Sequence, residues 1–297
     1  MFKRRHPFLY FFIVISVCFT IVFLSFIGLF VFGSNIMLSK FDQKHMLHNG
    51  NIGIVEINGL ILSSKKIIED IKTFEERDNI KAIVLRINSP GGGIGPSQEI
   101  FRQIGKTNKV IISSLGSVAA SGGYYIAAAT KKIIANPGTI TGSIGVIMEY
   151  PNIMEVAKKI GIYPVVIKSG EFKDLGSPLR KITESEKKIL QSLVNELHLQ
   201  FVADASKARN IDIKKLALLA DGRIYSGKKA VELKLVDHLG NLDDAVKWAG
   251  KLANVKEELK PVYLDDTMSF VKRFVKSLLK DINISSTISD NFRYIIN

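Results

Sequence analysis

Ser121 stands in the run Val118-Ala-Ala-Ser-Gly-Gly-Tyr124, where small neighbours leave its hydroxyl accessible and the amide of Gly122 can donate to an oxyanion forming beside it. Some thirty residues earlier, Asn88-Ser-Pro-Gly-Gly-Gly93 follows the apolar run Ala82–Ile87 directly. Glycine permits a close backbone approach and freely aimed N–H groups, so Gly91 or Gly92 offers a second donor. Each run has a plainer explanation: a triple glycine makes a turn, and small residues let helices pack closely. Two glycine-rich strand exits at this spacing point instead to nucleophilic acyl-transfer chemistry, and a serine nucleophile needs a base. No histidine lies between His48 and His198, and His198 falls inside a long predicted helix. A lysine can serve when burial depresses its pKa, because desolvation penalises the ammonium form. Lys173, between Phe172 and Asp174-Leu-Gly176, is one candidate that composition alone does not separate from the other lysines.

The elements around these residues alternate. Asn51–Leu62 and Ala82–Ile87 read as strands, Lys65–Arg77 and Ser97–Ile104 as helices, Val110–Ser114 as a strand and Val118–Thr130 as a helix. Strand, helix, strand, helix implies an α/β layered domain with much parallel pairing, whose ligand sites lie beyond the strand C-termini. Further on, Lys132–Ala135 and Gly145–Met148 read as strands. Thr183-Glu-Ser-Glu186 has capping-box spacing at the head of a long helix ending near Arg209. A Gly-Arg-Ile-Tyr strand-like piece then precedes helices over Gly227–Leu233 and Leu242–Leu252. No repeat of solenoid period occurs.

Residues 1–7 are basic, and residues 8–32 carry no charged side chain. Twenty-five residues would make a helix of roughly 37 Å, enough to cross about 30 Å of hydrocarbon. The competing reading, a cleaved secretory signal, fits less well because its apolar region is usually about 7–15 residues. Lys3, Arg4 and Arg5 would keep the N-terminus in the cytoplasm and send the rest to the outer face. Residues 33–49 read as a linker, ending at Asn49-Gly50. The single cysteine, Cys18, lies in the apolar run, which excludes an internal disulfide from the exported part. The net charge is +13, and +10 remains once the three N-terminal cations are set aside. That charge suits an anionic membrane surface or acidic partners, and no nucleic-acid-binding pattern accompanies it. Residues 256–297 form a tail in which Phe270, Phe274 and Leu278 align opposite Lys272, Arg273, Lys276 and Lys280, a basic amphipathic helix suited to a subunit contact or a membrane surface.

Asn88–Gly93, Ser117–Tyr125, Thr141-Gly-Ser-Ile-Gly-Val146 and Ser169–Pro178, in this order, resemble the short form of bacterial signal peptide peptidase A. That family comprises membrane-anchored serine proteases on a crotonase-like (Clp-like) layered ββα-type fold, and the resemblance covers about residues 50 to 255. It implies that Ser121 is the nucleophile, Lys173 the general base and Ser143 the hydroxyl that orients the lysine. It further implies that Gly122 forms the oxyanion hole with Gly91 or Gly92, the choice between the two staying open. No metal or cofactor is expected. The implied assembly is a homo-oligomeric dome, of eight subunits for the short form, in which the lysine reaches a neighbour's serine. The implied substrates are signal-peptide remnants and other hydrophobic membrane peptides, with misfolded envelope proteins as an alternative. Two readings of other classes stand beside it: an acyl-CoA enzyme of the crotonase type, using carboxylates such as Glu99 or Glu149, and a catalytically idle membrane scaffold.

Overall fold

The apolar runs that follow Gly50 assemble side by side as parallel strands. The computed structural model describes residues 50–264, together with residues 19, 20 and 23–25, which are helical and exposed. The remainder of the 8–32 apolar segment, the 33–49 linker and the amphipathic tail helix lie outside the described residues. No helix among the described residues is long and apolar enough to cross a membrane.

Strand β1 (Ile52–Asn58) leads into helix α1 (Lys65–Glu75), β2 (Ala82–Ser89), α2 (Ile94–Lys106), β3 (Val110–Ala120) and α3 (Gly122–Ala128). Two short strands, β4 (Ile133–Ala135) and β5 (Ile140–Gly142), precede helices α4 (Met154–Lys159), α5 (Glu184–Arg209) and α6 (Ile213–Ala217). The described residues end with β6 (Ile224–Ser226), α7 (Gly227–Glu232), β7 (His238–Leu239), α8 (Leu242–Leu252) and β8 (Pro261–Tyr263). The sheet runs β6-β5-β3-β2-β1-β8, with β4 bridging β3 to β7. Every pairing is parallel except that of β5 with β6. The long strand β3 changes partner along its length: Ser113–Leu115 pair with β4, and Val118–Ala120 pair with β5.

Both faces of the central strands are covered, which explains their near-continuous apolar sequences. Ile83, Leu85 and Ile87 of β2 face the larger core with Phe74, Ile100, Tyr124, Tyr125 and Phe201, whereas Ala82 and Val84 face Ala245, Val246 and Ala249 of α8. Gly53 of β1 sits against the Phe74 ring, where a Cβ would lie 2.6 Å from the ring carbon.

Two elements differ from the sequence expectation. Val118–Ala120 continues β3 instead of opening a helix, because Ala119 pairs with Ser89 of β2 and all three residues pair with β5. The helix starts only at Gly122. Gly145–Met148 forms no strand: Gly142 (φ 80°) and Ser143 (φ 50°) turn the chain at the end of β5, and the residues that follow have no ladder partner. The long helix begins as its sequence specifies, with Thr183 and Glu186 completing a reciprocal capping box.

Candidate active site

The parallel order brings the C-terminal ends of β2 and β3 to one edge, and both glycine-rich runs with them. The passage from β3 to α3 turns on Ser121, whose backbone takes φ 53° and ψ −121°. A non-glycine residue rarely adopts a positive φ, at a cost of about 1–3 kcal/mol, and here the conformation is over-determined. The Ser121 amide donates to Gly142 O at 2.9 Å, and its carbonyl accepts from the Tyr125 amide at 2.9 Å. The side chain stands at the junction of strand and helix with no hydrogen-bond partner among the described residues.

Gly91, at φ 109°, packs so closely beneath the serine that a Cβ there would lie 2.8 Å from both Ser121 Cβ and Gly122 N. Its own amide is committed to Ser89 Oγ at 3.0 Å. The amides of Gly92 and Gly122 have no acceptor among the described residues. A Cβ built on Gly122 would come within 3.3 Å of Gly92 N, so the two stand side by side. Gly92 is fixed from behind by a bridge to Ile61, with the Ile61 amide donating to Gly91 O at 3.0 Å and the Gly93 amide to Ile61 O at 2.9 Å.

Ser121, Gly92, Gly122 and Ser143 line one cavity of about 710 Å³. Ser143 reaches it through the turn after β5, where its amide donates to Arg223 O at 2.8 Å. Val146, Ile147, Val194, Leu197 and Phe201 make much of the wall apolar. Tyr125, packed edge-on against Phe101 and tilted against Phe201 with ring centroids 5.2 and 4.4 Å away, donates its hydroxyl to Asp204. Burial pushes the Tyr125 phenol well above its ordinary range, and the Asp204 carboxylate adds to the shift.

Lys173 is not part of this wall. It lies in a turn on an exposed arm spanning residues 145–182, its side chain exposed and unpaired among the described residues. The arm carries Val165, Val166 and Ile167 on its surface, 88%, 53% and 97% exposed. Within one chain the cavity thus gathers Ser121, Ser143, Gly92 and Gly122, while Gly91 and Lys173 are not among its lining residues. The sequence pattern missed the helical wall: Gln191, Val194, Asn195, His198 and Phe201 of α5 line the cavity. Their i, i+3, i+4, i+7 recurrence was present in the sequence and was readable only as core packing. His198 sits on that wall with Nε2 buried and unpartnered among the described residues, and no hydrogen bond links it to Ser121.

Residues 103–256 match Peptidase family S49, and residues 44–140 match the Clp protease family. The chain belongs to peptidase family S49. This S49 peptidase is a serine protease on a Clp protease-like α/β fold with a mixed sheet. It is 39% identical over 244 residues to a Synechocystis protein named as a protease, covering 81% of this chain and 87% of that one. A protein of Enterococcus faecium named for signal peptide peptidase SppA is 37% identical over 227 residues, 75% of this chain and 66% of the relative. Protease 4 of Haemophilus influenzae is 30% identical over 258 residues, 80% of this chain but 41% of its own length.

Proposed function

We propose that this S49 peptidase hydrolyses hydrophobic peptides, signal-peptide remnants among them, through an acyl-enzyme on Ser121 with Lys173 as general base. The observation that carries the reading is Ser121, half-buried on the cavity wall and held at a positive φ beside two amides that have no acceptor among the described residues. In the first step neutral Lys173 takes the Ser121 proton, Oγ attacks the peptide carbonyl, and the oxyanion accepts from the amides of Gly122 and Gly92. Gly92 is preferred over Gly91 because the Gly91 amide already serves Ser89 Oγ. The C–N bond then breaks, the leaving amine takes the proton from the lysine, and water, deprotonated by the same amine, releases the acyl group. Ser143, on the cavity wall, orients the incoming lysine.

The lysine comes from a second copy of the chain. Its arm carries exposed β-branched residues that a neighbour would cover, and a serine without a base on one chain meets a base without a serine on the next. The apolar residues 8–32 anchor the protein in the bacterial cytoplasmic membrane, with the N-terminus inside and the peptidase on the outer face, where hydrophobic remnants of secretion collect. The name of the Enterococcus relative agrees with that substrate class.

The test uses the full chain purified in detergent and a fluorogenic hydrophobic peptide. Ser121→Ala and Lys173→Ala are each expected to be folded and inactive, and subunits exchanged between the two are expected to recover activity, since some sites then pair an intact serine with an intact lysine. Activity surviving in Ser121→Ala overturns the nucleophile. Exchanged subunits that stay inactive overturn the shared site.

A further inference from the structure

Asp174 is the chain neighbour of Lys173, and a carboxylate there would be the natural counter-ion of the lysine. It is already engaged. Its Oδ1 accepts from Lys168 Nζ at 2.6 Å, and its Oδ2 accepts from Arg180 Nε at 2.7 Å. Arg180 in turn uses all five of its N–H donors. Besides Nε, Nη1 donates to Glu186 Oε2 at 2.8 Å and Lys181 O at 3.2 Å, while Nη2 donates to Asp174 O at 3.1 Å and to Glu186 Oε1. Glu186 is the buried capping residue of α5 and also accepts from the Thr183 amide at 2.8 Å. The guanidinium therefore fastens the lysine's turn, through both the side chain and the carbonyl of Asp174, to the first turn of the helix that walls the cavity. Lys168 is held by the Glu171 carbonyl at 2.7 Å as well as by Asp174. Lys168 and Arg180, with Glu186 reached through Arg180, are the charged groups around Asp174, and Lys173 is left out of the network.

We propose that Arg180 is a positioning residue for Lys173: it occupies the Asp174 carboxylate that would otherwise pair with the lysine, and it fixes the turn from which the lysine reaches the serine. This rests on Lys173 being the base. A general-base lysine must lose its proton near working pH, and an opposite charge close by holds the proton on. Salt bridges from Arg180 and then Lys168 depress the Asp174 carboxyl, so it stays anionic throughout the working range, and only its saturation by other cations keeps it from holding Lys173 protonated. The Arg180 bonds also depress the Glu186 carboxyl to about 2, so the second anchor stays charged as well.

The experiment records kcat/KM against pH for the full-length enzyme as wild type, Lys173→Ala, Arg180→Gln, Asp174→Asn and the Arg180→Gln/Asp174→Asn double variant. Circular dichroism checks the fold of each. Releasing one Asp174 oxygen is expected to move the acid limb of Arg180→Gln about one pH unit toward alkali, roughly a tenfold loss below the limb that vanishes above it. The double variant is expected to return the limb to its wild-type position, because the released charge is gone. Asp174→Asn alone is expected to leave the limb in place or move it slightly toward acid. A loss in Arg180→Gln that is uniform with pH, or a double variant whose limb stays displaced, overturns the clamp while leaving the dyad standing. An active Lys173→Ala enzyme takes down both. If Arg180→Gln does not fold, Arg180→Lys keeps the cation with fewer donors, and a smaller shift in the same direction is expected; an unmoved limb in that variant counts against the clamp.

Discussion

Gly122→Ala is a small substitution at a crowded place. A methyl at this position would lie 2.5 Å from Ser97 Oγ, with the next neighbours, Gly92 N and Gly91 Cα, at 3.3 and 3.4 Å. Ordinary contact begins near 3.4 Å, so about 0.9 Å must be recovered between α2 and α3. The Ser97 hydroxyl cannot swing away freely, because it donates to Gly93 O at 2.9 Å and helps hold the glycine turn. Either the hydroxyl leaves that carbonyl or the two segments part, and both outcomes move Gly92 relative to Gly122. A displacement near 1 Å in a catalytic constellation costs roughly 100-fold, and losing one oxyanion donor costs about 10²–10³. Gly122→Ala is therefore expected to lower kcat about 100-fold while the protein stays folded. Adding Ser97→Ala removes the clashing oxygen and leaves only contacts of 3.3 Å and longer, so the double variant is expected to regain at least a tenfold share of that loss. Ser97→Ala alone gives up one hydrogen bond, about 1 kcal/mol of stability. Hydrolysis of a fluorogenic peptide and thermal melts of the four proteins decide the matter. Gly122→Ala enzyme within threefold of wild type, or a folded double variant with no recovery, refutes the reasoning.

Asp237, largely buried, accepts from Arg209 at 2.7 Å, Lys132 at 3.0 Å and the Ile133 amide at 2.8 Å. Burial pushes its carboxyl up, but these partners outweigh burial and leave it below the ordinary value. Its contribution is thus fully present above about pH 3.9 and lost as pH falls through the lower folded value. Asp237→Asn strands Arg209, with an expected cost of about 3 kcal/mol at neutral pH and a melting midpoint lower by roughly 6–12 °C. The gap from wild type should narrow in melts below about pH 4, and a gap constant with pH contradicts the assignment. Val165→Glu with Ile167→Glu places charges on the most exposed apolar stretch of the arm. Oligomer mass in sedimentation and peptidase activity are expected to fall together while the far-ultraviolet spectrum holds, and an unchanged mass removes the arm from the subunit contact.

The strand and helix order from Asn51 to Ile104 was legible because β1 and β2 bury both faces and α1 carries one apolar stripe. The capping box at Thr183 and the span of α8 were equally local signals. Val118–Ala120 was not legible: its small residues have no strong strand preference, and only the pairing with Ser89 and β5 makes them extended. Gly145–Met148 failed in the opposite sense, having strand composition and no partner. Ser121 and the glycines could be picked from local motifs and Ser143 from the family resemblance, and of these Ser121, Ser143, Gly92 and Gly122 line one cavity. The contribution of α5 could not, since a residue lining a cavity and a residue lining a core recur with the same helical period. Nor does sequence reveal how Asp174 is spent, because its partners Arg180 and Lys168 look like ordinary surface cations.

The change of partner along β3 ties catalysis to a short strip of sheet. Up to Leu115 the strand pairs residue for residue with β2, but of its last three residues only Ala119 keeps a β2 partner, Ser89, and all three pair with β5, itself three residues long and fastened on its far side by three residues of β6. The Ser121 amide hangs from the last residue of that strip, Gly142. Segments held by so few ladder bonds open locally at free energies well below that of global unfolding. Amide exchange at Val118–Ser121 and Thr141–Ser143 should therefore outpace that of Val84–Ile87, and warming should silence the enzyme some degrees before the sheet melts. The heat tolerance of the activity is then a property of six residues of strand, and strengthening the hydrophobic core would raise the melting temperature without extending the temperature range in which the enzyme works.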